Sequence, residues 1–200
     1  MSDSVERLPL FPLKTVLFPE GILPLRVFEP RYMDMITRCM REESGFGVCL
    51  IAAGEEVGET AVPHPVGTEA RIEGWDMEQA GVLSLVTRGG RRFRIEDHEV
   101  ERDGLLVADV RWLAEPPSGP VPEAQADMLP LLRTIVDELG ERLPPPHRFD
   151  DAAWVGARYV ELLPIPLLAK QKLLELDDVT SRLEIVQQFL REHGLLSNLA

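Results

Sequence analysis

Two periods of apolar residues divide this chain. Through the first 115 positions apolar residues alternate with polar ones or gather in short branched runs, as strands do; from about residue 123 they recur every three to four positions, as helices do. Residues 46–51 (FGVCLI) predict a buried strand, and residues 68–75 (TEARIEGW) alternate. Residues 82–87 (VLSLVT) and 91–100 (RRFRIEDHEV) flank Gly89-Gly90 and predict a hairpin turning there. Asp103-Gly104 predicts a further turn into residues 105–113 (LLVADVRWL). The expected product is a mostly antiparallel sheet curled into a barrel.

One helix interrupts these strands. Pro30 has the fixed φ of a first helical turn, and Tyr32, Ile36, Cys39 and Met40 fall at helical spacing over residues 30–43, so the helix should cover the barrel. Ahead of it runs LPLFPLKTVLFPEGILPLRVFEPRY, residues 8–32. Pro9, Pro12, Pro19 and Pro24 remove backbone donors from it, which predicts two short extended segments. Residues 52–65 (AAGEEVGETAVPHP) have no period and read as a solvated surface loop.

The composition changes at EPPSGPVP. The expected organisation is a β-rich subdomain over 1–115, a proline-rich linker over 116–122 and a helical subdomain over 123–200. In the last part Leu131, Leu132, Ile135, Val136, Leu139 and Leu143 share one helical face, ended by Pro144-Pro145-Pro146. Asp150 or Asp151 can cap a second helix carrying Val155, Tyr159 and Leu162. A short helix through Lys170 and Leu174 follows, then one starting at Asp177 or Asp178 and ending near Gly194.

Charge narrows the function. The net charge is −13, spread as −8 over residues 1–115 (13 basic, 21 acidic) and −5 over 116–200 (8 basic, 13 acidic). Only Arg91, Arg92 and Arg94 bunch, so nucleic acid is not an expected partner. The N-terminal residues have no apolar signal core, and no apolar run approaches a membrane span, so a cytoplasmic protein without membrane contact is expected. Cys39 and Cys49 form no CxxC and read as buried free thiols.

The run from Leu8 to Tyr32 resembles the opening of the Lon N-terminal domain, the substrate-binding module of Lon proteases. The resemblance continues through VGTEARI (66–72), RFRI (92–95) and KQKLLELDDVTSRLEIVQQFL (170–190), and covers about residues 7–191 in order. It implies an α+β fold, a PUA-like antiparallel β-barrel with one covering helix followed by a C-terminal helical bundle. It also implies a free-standing, non-catalytic polypeptide-binding module with an adaptor or substrate-recognition role. Its partners would be unfolded or apolar polypeptide segments, with a separate protease or ATPase as a further partner.

Catalytic motifs are wanting. No GxxxxGK[ST] loop is present, and Lys14, Lys170 and Lys172 have no serine fixed beside them by motif, so neither the ATPase nor the protease of full-length Lon is expected. His64, His98, His147 and His193 lie too far apart to form a ligand pair. No cofactor, metal or catalytic residue is expected. Leu10, Leu13, Val16 and Phe18 are the candidate polypeptide-binding residues, because neighbours on an extended segment point to opposite faces and cannot all enter one core. Structural roles are expected for Glu29, Arg31, Tyr32 and Arg94, with Glu29 pairing to a helix-start amide or an arginine such as Arg94. The competing reading is a small-molecule-binding protein or small enzyme using a cleft between barrel and helices.

Overall fold

The computed structural model describes residues 5–58, 61–79, 81–117 and 119–196. Among them the strands are β1 (Glu6–Leu13), β2 (Ile22–Val27), β3 (Phe46–Ala53), β4 (Val62–Pro63), β5 (Val66–Gln79), β6 (Val82–Val100) and β7 (Leu106–Trp112). The helices are α1 (Pro30–Glu42), α2 (Leu129–Leu139), α3 (Ala152–Leu162), α4 (Leu167–Glu175) and α5 (Val179–Glu192). The chain divides into two compact units, Met1–Ala114 and Glu115–Ala200. All the described strands lie in the first.

Strand order is β1-β7-β6-β5-β3, and β3 returns to β1, so five strands close into a ring. The closing pair, β1 with β3, is parallel; the others are antiparallel. Strand β1 tolerates Pro9 and Pro12 because it changes partners midway. Residues 6–10 pair with β7 and residues 10–13 with β3, so each proline needs a donor on one side only. Two strands lie outside the ring, each with a single partner: β2 beside the first half of β6, and β4 beside the end of β3. Each carries a proline, Pro24 and Pro63, which blunts the open edge.

Two expectations need correction. Gly89-Gly90 is not a turn: β6 runs straight through it for 19 residues. A β-carbon on Gly89 would overlap the Phe18 carbonyl oxygen, and one on Gly90 the Glu69 carboxylate. These glycines admit a close neighbour rather than reverse the chain. The β5–β6 reversal lies instead at Gly81, whose φ is +83°. Residues 52–65 are not all loop, since Val62 and Pro63 pair with the end of β3. The sheet is mostly antiparallel, as expected, with β1–β3 its one parallel pair among the described residues. The Asp103-Gly104 turn is as expected: Gly104 has φ +87°, and Glu101 N–H donates to the Leu105 carbonyl at 2.8 Å.

Helix α1 lays Tyr32, Met35, Ile36 and Cys39 on Phe11, Leu13, Phe46, Val48, Leu83 and Leu85. A separate cluster joins Leu8, Leu10, Cys49, Phe93, Leu106 and Val110. In the second unit Asp151 caps α3 by accepting from the amides of Ala153 at 2.9 Å and Trp154 at 3.4 Å. Asp178 caps α5 by accepting from Ser181 N–H at 2.8 Å. The Tyr159 hydroxyl donates to the Met128 carbonyl, and Gln187 Nε2 donates to Ala124 and Asp127, both at 2.7 Å, joining α5 to the 3-10 turn before α2.

Candidate functional site

The four apolar residues predicted to contact polypeptide are core. Leu10, Leu13, Val16 and Phe18 are all at most 7 % exposed. The alternation of faces along β1 is real, but both faces are covered. Leu8 and Leu10 enter one cluster, Phe11 and Leu13 the other. The connection that follows is sewn to the sheet: Thr68 Oγ1 donates to the Leu17 carbonyl at 2.6 Å. Glu20 N–H donates to Gly89 at 2.7 Å, and Gly89 N–H to Gly21 at 2.8 Å.

Glu29, Arg31 and Tyr32 do come together. Glu29 is the N-cap residue of α1, and its carboxylate pairs with Arg31 Nη2 at 2.9 Å rather than capping through its side chain. Arg31 Nη1 donates to the Gly104 carbonyl at 3.0 Å, and its guanidinium lies 4.7 Å from the Tyr32 ring centre. Tyr32 in turn stacks on Phe11 at 4.0 Å. Burial pushes the Tyr32 hydroxyl above its ordinary pKa, against the opposing pull of Arg31. Arg94 is not part of this corner. It is exposed, in β6, opposite Val66 and Arg111. Proximity within the EPRY turn decided Glu29's partner.

Beside this corner is a small apolar hollow of about 190 Å³. Phe11, Leu13, Leu25 and Tyr32 line it, and Phe28 and Val57 stand at its rim, 55 % and 57 % exposed. Phe28 follows the buried Val27 at the end of β2 and so points outward by alternation. Val57 is brought there by an acidic loop that Lys14 holds, its ammonium to Glu55 and its amide to Glu56.

A wider groove, about 850 Å³, opens where the β5–β6 hairpin outruns α1. Trp75 pairs with Leu85 and therefore shares the face of that buried side chain, yet it is 58 % exposed. A register shift between Ile72 and Gly74 puts Ile72 and Trp75 on the same face. Ile72, Trp75 and Met40 line the groove, with Glu42 and Glu43 at the end of α1 and the Arg91–Trp112 stack, at 4.0 Å, as further parts of its lining. Met77, two residues beyond Trp75, is exposed as well. The apolar face of the sheet continues past its covering helix.

Sequence reasoning missed Phe28, Trp75 and Met77. Their signal is an apolar residue next to the predicted end of a strand, where the covering element has run out. Among the described residues no group of three His, Cys, Asp or Glu side chains is placed to hold a metal ion, and no helix is long and apolar enough to cross a membrane. The thiols have no reactive setting: burial raises the pKa of both, that of Cys49 far above the usual range.

Comparisons with known proteins agree with this architecture. The family model for the ATP-dependent protease La (LON) substrate-binding domain matches residues 7–192. A Lon N-terminal domain protein from Xanthomonas campestris superposes with a TM-score of 0.77 at 39 % identity, covering 92 % of this chain and 98 % of that one. The N-terminal domain of a Mycobacterium avium complex Lon protease has the same fold at 19 % identity, with a TM-score of 0.67 over 94 % of this chain and 100 % of its own. Lon protease 2 of Myxococcus xanthus is 28 % identical over 98 % of this chain. Protein cereblon of Danio rerio is 31 % identical over 56 % of it. The chain spans about a quarter of the length of these two relatives, 25 % and 27 %. With nearly its whole length matched by one model, the chain belongs to the Lon substrate-binding domain family.

Proposed function

We propose that this protein is a polypeptide-binding module that holds unfolded or apolar segments and performs no chemistry on them. The observation that carries this reading is the apolar face left uncovered around Trp75 and Met77, with a second apolar rim at Phe28 and Val57. Water against such side chains is costly, and an extended client chain removes it. Strands β2 and β4, which lie outside the ring, each carry proline, which favours side-chain docking over strand addition at those two edges. Family membership supplies the partner class, and a separate protease or ATPase would act on the bound chain. A cytoplasmic setting suits such a role.

Titration of fluorescently labelled peptides from denatured proteins tests the reading. Weak, sequence-tolerant binding is expected, with Trp75→Ser and Phe28→Ser each lowering affinity while leaving the melting temperature in place. No binding at roughly 100 μM, where contacts of about −5 to −6 kcal/mol register, overturns it. ATP or casein turnover abolished by a point mutation in this chain would overturn the non-catalytic part.

A further inference from the structure

The wide groove carries an excess of negative charge that its own guanidiniums do not neutralise. Six glutamates and four arginines line it. Three of the arginines are engaged nearby: Arg7 with Glu99 and Glu101, Arg71 with Glu69 at 2.9 Å, and Arg91 over the Trp112 ring. Arg38, one turn before Glu42, is the fourth. Among the glutamates, Glu73 is paired with Arg88, and Glu6 accepts from the Trp112 indole N–H. Glu42 and Glu43 are exposed, and no ion pair holds either of them among the described residues.

These two carboxylates are poorly sited for folding. They stand at the carbonyl end of α1, where the helix dipole disfavours negative charge. Glu43 takes φ +52° at the C-cap, a conformation that favours glycine. A cation brought against them would remove both like-charge repulsion and the unfavourable dipole contact. Ile72, Met40 and the exposed Trp75 ring line the same groove, so a cation held there has apolar surface within the same site.

We infer that this groove selects polypeptide segments carrying a Lys or Arg next to an apolar side chain, the apolar group on Trp75 and Ile72 and the cation at Glu42 and Glu43. This selection rests on the polypeptide-binding reading above. The apolar contact supplies the general affinity; the carboxylates sort clients by charge and speed their encounter. Because the pairing lies at a solvent-exposed rim, salt screens it within about 8 Å at physiological ionic strength.

The test uses three peptides of one apolar sequence that differ at a single position, Lys, Gln or Glu, titrated into the full chain and into Glu42→Gln/Glu43→Gln. The wild type should bind the Lys peptide about three- to tenfold tighter than the Gln peptide at low salt, and the Glu peptide more weakly still. Raising the salt should compress this order. The double Gln variant, with unchanged circular dichroism and melting temperature, should lose the order and keep the affinity for the Gln peptide. Glu42→Lys/Glu43→Lys should invert it. Equal binding of all three peptides to the wild type overturns the charge selection and leaves the polypeptide reading standing. An order that persists in the double Gln variant also overturns it, assigning the preference to the overall charge of −13. Binding of none of the three overturns both.

Discussion

The Phe18 carbonyl oxygen occupies the space that a side chain on Gly89 would need. This contact fixes the connection between β1 and β2 on the middle of β6, alongside the hydrogen bonds of Glu20 and Gly21 to Gly89. Gly89→Ala should therefore displace that connection and cost about 1–3 kcal/mol. Gly74→Ala, in β5 with nothing within 4 Å of its β-carbon, should be nearly neutral. Urea denaturation of the two variants checks this; equal effects would mean the connection yields without cost.

Removing the Glu29 carboxylate strands a guanidinium whose side chain is 8 % exposed. Glu29→Ala should lower stability by about 1–3 kcal/mol, since the remaining charge keeps only part of its solvation. Adding Arg31→Met should recover part of the loss, and peptide binding per folded molecule should not change. Calorimetry of the single and double variants reads the first effect. Collapse of binding with stability intact would make Glu29 a client contact instead.

Four buried acids make the fold sensitive to alkali. Burial raises the pKa of Cys39, Cys49, Tyr32 and Tyr159. The folded state thus keeps protons that the unfolded chain gives up, so stability is whole below the unfolded values of about 8.5 for thiol and 10 for phenol. It falls as pH rises above them, by about 1.4 kcal/mol per pH unit for the fully buried Cys49 thiol. Urea midpoints at pH 7.5 and pH 9.5 measure the fall, which Cys49→Ala should make shallower. In native protein neither thiol should react with an aromatic disulfide reagent until the chain unfolds.

Asp151 accepts from two amides at the start of α3, and its loss leaves them without that acceptor. Asp151→Ala should cost about 0.5–2 kcal/mol, and Asp151→Asn or Asp151→Ser less. A thermal melt ordering the variants Asp, Asn or Ser, Ala checks the cap.

Much of this architecture was legible in the residues. Pro30 marked the start of α1, Asp103-Gly104 the last hairpin, and the pairs Asp150-Asp151 and Asp177-Asp178 the helix caps to within one residue, because each acts through its own backbone neighbourhood. Three of the misreadings involve elements distant in sequence. Gly89-Gly90 looks like a turn until Phe18, 71 positions earlier, is seen lying on it. Leu10 and Phe18 look surplus to one core because the second covering layer is invisible in a strand's own alternation. Trp75 looks like an ordinary strand residue, and only the length of α1 relative to the β5–β6 hairpin exposes it. Glu29, for which a helix-start amide and an arginine such as Arg94 are both expected partners, pairs with an arginine, but with Arg31 two positions away.

The prolines in the two strands outside the ring have a consequence for any protein that works among misfolded chains. A backbone edge able to accept one strand accepts the next, and a client already prone to cross-β stacking would find a template on which to grow. Pro24 and Pro63 interrupt that template in β2 and β4. On the polypeptide-binding reading, these two strands offer a sticky client side chains to rest on and no continuous backbone edge on which its fibre could grow.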